Sequence, residues 1–150
     1  MLKFTQTVLL FLTFFFIFLI PIRDTDFGWH YRCGQELTTL GKLCSVNRYT
    51  YLLGGFKWNA PSQGYDLLLY FLYIGGGFPA VTIFYAFSAA VVLTLFVKSL
   101  KGGLLANALM TILGLWFSWS IFSLGFRSQI LSAYFLAIFL SIINHSQNHR

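Results

Sequence analysis

The sequence predicts an all-α integral membrane protein with about four transmembrane helices and two interfacial helices in a large first loop. Three observations carry that prediction. Of 150 residues, 57% are hydrophobic and only 9% charged, against roughly 25% charged in soluble domains, so a water-facing surface could not be covered. The apolar residues form long runs, broken by glycine clusters and short polar turns. All the carboxylates, Asp24, Asp26, Glu36 and Asp66, fall in one polar stretch with both cysteines and His30.

The first span is expected at about residues 4–22, which carry no charge. Lys3 precedes it as in a signal peptide, but the run ends Leu19-Ile20-Pro21-Ile22-Arg23 without a small-residue cleavage site, so it reads as a retained anchor. A polar loop over about 23–77 follows. Within it, Asp26 reads as the N-cap of a helix running to Leu40, and Gly41 as its stop. Trp29, Cys33, Leu37 and Leu40 share one face of that helix, which suits it to lie along the membrane interface. Residues 45–53 are Tyr- and Thr-rich and read as extended. A second interfacial helix is expected from about residue 62 or 63 to 74, ended by Gly75-Gly76-Gly77 and Pro79. True spans follow at about 78–97, 104–124 and 130–143, separated by Lys98–Lys101 and by the turn Gly125-Phe126-Arg127-Ser128-Gln129.

The formal charge of +6 is spread over ten basic residues that form no run or helical stripe. Nucleic acid is therefore not the partner; such residues set topology and meet lipid phosphates. His145 and His149 lie far along the chain from His30, so the histidines form no metal-ligand cluster. The spans hold almost no charges to line a pathway, which disfavours a channel or transporter. With a cytoplasmic N-terminus, Lys3, Lys98, Lys101 and Arg150 fall inside, and Arg23, Arg32, Lys42, Arg48, Lys57 and Arg127 outside. That count leaves the side of the loop open.

Asp24-Thr25-Asp26 follows the first span directly, with Trp29-His30 just beyond. Two carboxylates at this spacing can share a divalent cation, or one can act as a base while the other binds. The plainer alternative has Asp26 capping a helix and Asp24 solvated beside Arg23. His30 is either a second base or substrate contact, or a histidine held by a structural partner. Arg32 and Glu36 stand at i, i+4 and read as a surface ion pair. Arg127, alone between two spans, either binds an anion such as lipid phosphate or snorkels to the interface. Trp58 is an interfacial belt residue or a platform for a sugar ring. Cys33 and Cys44 are either a disulfide or two buried thiols.

These residues resemble a known family. Asp24-Thr25-Asp26-Phe27-Gly28-Trp29-His30, followed by Leu40-Gly41 and Ser45-Val46-Asn47-Arg48-Tyr49-Thr50-Tyr51, is similar to the first external loop of bacterial polytopic glycosyltransferases of the GT-C superfamily. These are relatives of protein O-mannosyltransferases, aminoarabinose transferases and oligosaccharyltransferases. Trp58 and Asp66 stand near a later loop motif, and Phe126-Arg127-Ser128-Gln129 is similar to the family's Arg-Pro-Gln turn. Cys44 stands where the family often has Pro, Asn47 where it has Asp, and Ser128 where it has Pro.

The resemblance implies a multi-pass cell-membrane protein with residues 23–77 extracytoplasmic. It implies a polyprenyl-phosphate sugar as donor, membrane lipid around it, and a hydroxyl acceptor entering from outside. Asp24 or Asp26 would take the acceptor's proton as it attacks the anomeric carbon with inversion. His30, Arg32, Trp58 and Arg127 would bind substrate, and Asp24 and Asp26 would hold any divalent cation. Relatives carry more spans, so the chain is expected to be the N-terminal part of such a module, with a partner membrane subunit. The rival expectation is a non-catalytic membrane component that binds lipid phosphate or a partner helix bundle.

Overall fold

The computed structural model describes residues 4–46, 52, 55–57, 62–100 and 102–147. It is all-helical: α1 (Phe4–Ile17), α2 (Phe27–Leu40), α3 (Gln63–Ser99), α4 (Leu104–Phe122) and α5 (Ser128–Gln147). Among the described residues the extended stretch is represented by one isolated antiparallel bridge, Val46 with Lys57.

Two helices, α3 and α4, are long and apolar enough to cross a membrane. The expectation of four such spans is met only to that extent. α1 has 14 helical residues, about 21 Å of helix against roughly 30 Å of hydrocarbon. Its early end has a local cause. The ring of Pro21 would collide with the carbonyl of Ile17, and a residue before proline is pushed out of the helical region. The apolar part of α5, Ser128–Ile143, is likewise short.

The expected break at the glycine run is a kink inside α3. Gly76 has φ −163° and Gly77 has φ 63°, ψ −156°. Gly77 occupies a region closed to side chains with a Cβ, so a glycine there lets the segment before the kink turn into the one after it. Pro79 follows within the first turn beyond the kink, where its missing N–H does no harm.

The chain divides into two compact units, Met1–Arg23 with Thr82–Arg150, and Asp24–Val81. In the first, fully buried Phe18 packs edge-on to Tyr85 at 6.2 Å and against Phe122 at 5.0 Å. Ala86, Ser88, Ala89 and Ala90 are all buried, and such small residues let helices approach closely. The Tyr85 hydroxyl donates to the carbonyl of Phe122. That carbonyl ends α4 and also accepts the Gly125 N–H at 3.3 Å. The α4–α5 turn is held by the Arg23 N–H, which donates to the Leu124 carbonyl at 3.1 Å.

In the second unit, α2 lies against the first turns of α3. Phe27, Tyr31, Tyr70, Tyr73 and Phe78 form one aromatic cluster, with ring centroids 4.9 to 5.4 Å apart for the closest pairs. The closest backbone approach is at Gly34. A Cβ there would collide with the Asp66 carbonyl and stand 2.7 Å from Tyr70 Cβ. The face of α2 that packs on α3 is thus Phe27, His30, Tyr31 and Gly34, a different face from the stripe of Trp29, Cys33, Leu37 and Leu40 expected at the membrane interface. Of that stripe Cys33 is buried, while Leu40 is 57% exposed. Ring stacking and the contact at Gly34 decide the orientation, and neither registers as hydropathy.

Candidate functional site

α2 begins after a turn in which the Phe27 N–H reaches the Asp24 carbonyl at 3.3 Å. Asp26 sits at the cap position but has φ −87°, ψ −2°, and its side chain makes no cap hydrogen bond. The expected capping role is therefore corrected. A capping residue adopts extended backbone so that its side chain can turn back to the N–H groups, and the turn prevents this. The Asp26 carbonyl instead accepts from Trp29 and His30 N–H at 3.0 and 3.1 Å. Asp24 Oδ1 accepts the Asp26 N–H at 3.2 Å. Asp24 is only 9% exposed, so it is not the solvated residue of the plainer alternative, whereas Asp26 is exposed.

One turn into α2, His30 Nδ1 lies 2.6 Å from Asp66 Oδ1. Asp66 is buried and stands in the first turn of α3, where the helix dipole favours a carboxylate. An ionised carboxylate only accepts hydrogen bonds, so Nδ1 is the donor in this pair. The ring also meets Tyr65 edge-on at 4.8 Å. His30 thus has the structural partner that one of its two readings required, and the arrangement equally orients a base. Sequence reasoning did not join Asp66 to His30. The available signal was a carboxylate entering an otherwise apolar helix, which calls for a buried partner.

Arg32 Nη1 donates to Gln35 Oε1 at 2.8 Å on the exposed side of α2. Its expected i, i+4 partner was Glu36; the neutral i+3 acceptor takes that place. Cys33 and Cys44 form a disulfide, with S–S 2.00 Å and Cα–Cα 5.2 Å. The bridge ties the chain after Gly41 back onto α2. Trp58 lies outside the described residues. Arg127 belongs to the other unit, in the α4–α5 turn, where its carbonyl accepts the Ile130 N–H at 3.0 Å.

Asp24, Asp26, His30, Arg32, Asp66 and the disulfide therefore share one compact unit. Among the described residues no three or more His, Cys, Asp or Glu side chains gather as a metal-binding group. No protein-family model, curated protein or solved structure matches the chain.

Proposed function

We propose that the chain is a membrane glycosyltransferase of the GT-C type, moving a sugar from a polyprenyl-phosphate donor to a hydroxyl acceptor at the extracytoplasmic surface. The observation that carries this reading is the Asp24–Asp26 turn. It stands directly after the first apolar helix, with one carboxylate buried and accepting the N–H of the other. Asp26, the exposed member, takes the acceptor's proton. The acceptor oxygen then attacks the anomeric carbon, the carbon–oxygen bond to phosphate breaks, and polyprenyl phosphate departs with the bonding electrons. Asp24 fixes the turn that presents the base. A divalent cation on the two carboxylates would supply positive charge for the departing phosphate.

The extracytoplasmic side is supported by the Cys33–Cys44 disulfide, since such bonds persist outside the reducing cytosol. Membrane residence is supported by α3 and α4. It is tested by carbonate washing, which leaves an integral protein in the pellet.

Transfer is tested in native membranes with labelled polyprenyl-phosphate hexoses and pentoses. Asp26→Asn is expected to lower transfer by about 10²–10⁴-fold, the usual contribution of a general base. Undiminished transfer by both Asp24→Asn and Asp26→Asn would remove the carboxylates from the chemistry. A second reading, an accessory chain docked on a partner helix bundle, is favoured by α4, where Trp116 and Phe117 are 78% and 80% exposed. Co-purification with a second membrane protein, together with transfer indifferent to both variants, would select it.

A further inference from the structure

We propose that the groove between the C-terminal half of α3 and α5 holds an anionic phospholipid, with its headgroup phosphate on Lys98 and an acyl chain along the apolar wall. The groove encloses about 520 Å³, within the roughly 300–1,000 Å³ of small-ligand sites. Leu95, Phe96, Ala137 and Leu140 give it an apolar lining, while Lys98 and Ser141 supply its polar groups. That is the chemistry of a lipid: a long hydrocarbon ending in an anion.

The charge distribution says why the anion must come from outside. Every carboxylate of the chain lies between Asp24 and Asp66. The unit that contains the groove, Met1–Arg23 with Thr82–Arg150, carries Lys3, Arg23, Lys98, Lys101, Arg127 and Arg150 and no acidic side chain. No side chain of that unit carries a negative charge that could neutralise Lys98. Free phosphate would satisfy the charge but leave the apolar wall uncovered; a phospholipid covers both.

The groove also has a defined end. α3 and α5 run parallel, starting where Phe84 meets Phe126 at 5.3 Å. Lys98 comes 14 residues after Phe84, about 21 Å along the helix. It therefore stands at the opposite end of its unit from Arg23 and Arg127. Basic side chains at a helix end and anionic lipid headgroups attract each other. This site is distinct from the sugar-donor site and rests only on the membrane residence proposed above.

The test uses the full chain in mild detergent. Bound lipid is counted by native mass spectrometry after adding phosphatidylglycerol, phosphatidylcholine or inorganic phosphate. Phosphatidylglycerol is expected to occupy the chain about fivefold more than phosphatidylcholine, the ratio given by roughly 1 kcal/mol per basic residue at a charged membrane surface. Lys98→Gln is expected to erase that preference, and Lys42→Gln, in the polar loop, to leave it intact. Ala137→Leu fills the groove and is expected to lower occupancy by both lipids; should that variant fail to fold, Lys98→Gln still decides. Equal occupancy by the two lipids in the parent chain, or a preference that survives Lys98→Gln, overturns the proposal. Displacement of the lipid by equimolar phosphate overturns it in favour of a simple anion site. A chain that stays soluble without detergent overturns membrane residence itself, whereas a detergent-requiring chain with no lipid preference overturns the groove alone.

Discussion

His30 and Asp66 are 36 residues apart in sequence and joined by a 2.6 Å hydrogen bond, Nδ1 to Oδ1. The bond links α2 to the first turn of α3 and fixes the imidazole against Tyr65. Hydrogen bonds to charged groups contribute about 1.5–3 kcal/mol. A double-mutant cycle with His30→Ala and Asp66→Ala is therefore expected to give a coupling of that size in unfolding free energy. Additive effects of the two substitutions would show that the contact contributes nothing to stability.

Gly34 marks where α2 and α3 come closest, and the prediction there is steric. A methyl group at position 34 meets the Asp66 backbone, which cannot swing away as a flexible side chain can. Gly34→Ala is expected to destabilise the protein by about 1–3 kcal/mol, the range for overpacking a well-fitted contact. Gly28 is on the same helix with open space around it, so Gly28→Ala is the matched control. Equal melting temperatures for the two variants would contradict the close approach.

How far the sequence revealed this fold depends on whether the deciding interaction was local. α2 was legible because its end is written in the chain: Gly41 takes φ 62° at the stop. The kink in α3 was legible for the same reason, since three consecutive glycines announce it. The inner face of α2 was not legible. Ring geometry and backbone clearance put Tyr31 and Gly34 on that face, and neither registers as hydropathy. Asp24 and Asp26 were visible as a candidate pair, but which of them is buried depends on a turn that spacing cannot specify. The pairing of His30 with Asp66 spans two helices, so only tertiary packing reveals it.

Tyr85 offers a prediction in the other unit. Its hydroxyl donates to the last carbonyl of α4, while its ring packs on Phe18. Tyr85→Phe removes the donor and keeps the ring. The expected loss is about 0.6 kcal/mol, the average for hydrogen bonds between membrane helices. Tyr85→Ala removes the ring as well and is expected to lose about 3–5 kcal/mol, as for other large-to-small aromatic changes in a packed core. Denaturant titration in mixed micelles measures both. A Tyr85→Phe loss as large as that of Tyr85→Ala would assign the energy to the hydroxyl rather than to packing.

The disulfide gives the last prediction, because it joins stability to location. Cys33 and Cys44 are separated by 11 residues, so closing that loop restrains the unfolded chain by about 3 kcal/mol in the chain-entropy treatment. Cys33→Ser, Cys44→Ser and the double variant are expected to lose the same amount, since either single change opens the one bridge. An impermeant maleimide applied to intact cells is expected to label the chain only after treatment with reductant, because the free thiols appear only when the bridge is cut. Labelling without reductant would mean that the thiols are unpaired. Labelling confined to lysed cells, even after reductant, would put the loop in the cytosol, where polyprenyl-phosphate sugars displayed on the outer surface cannot reach Asp24 and Asp26.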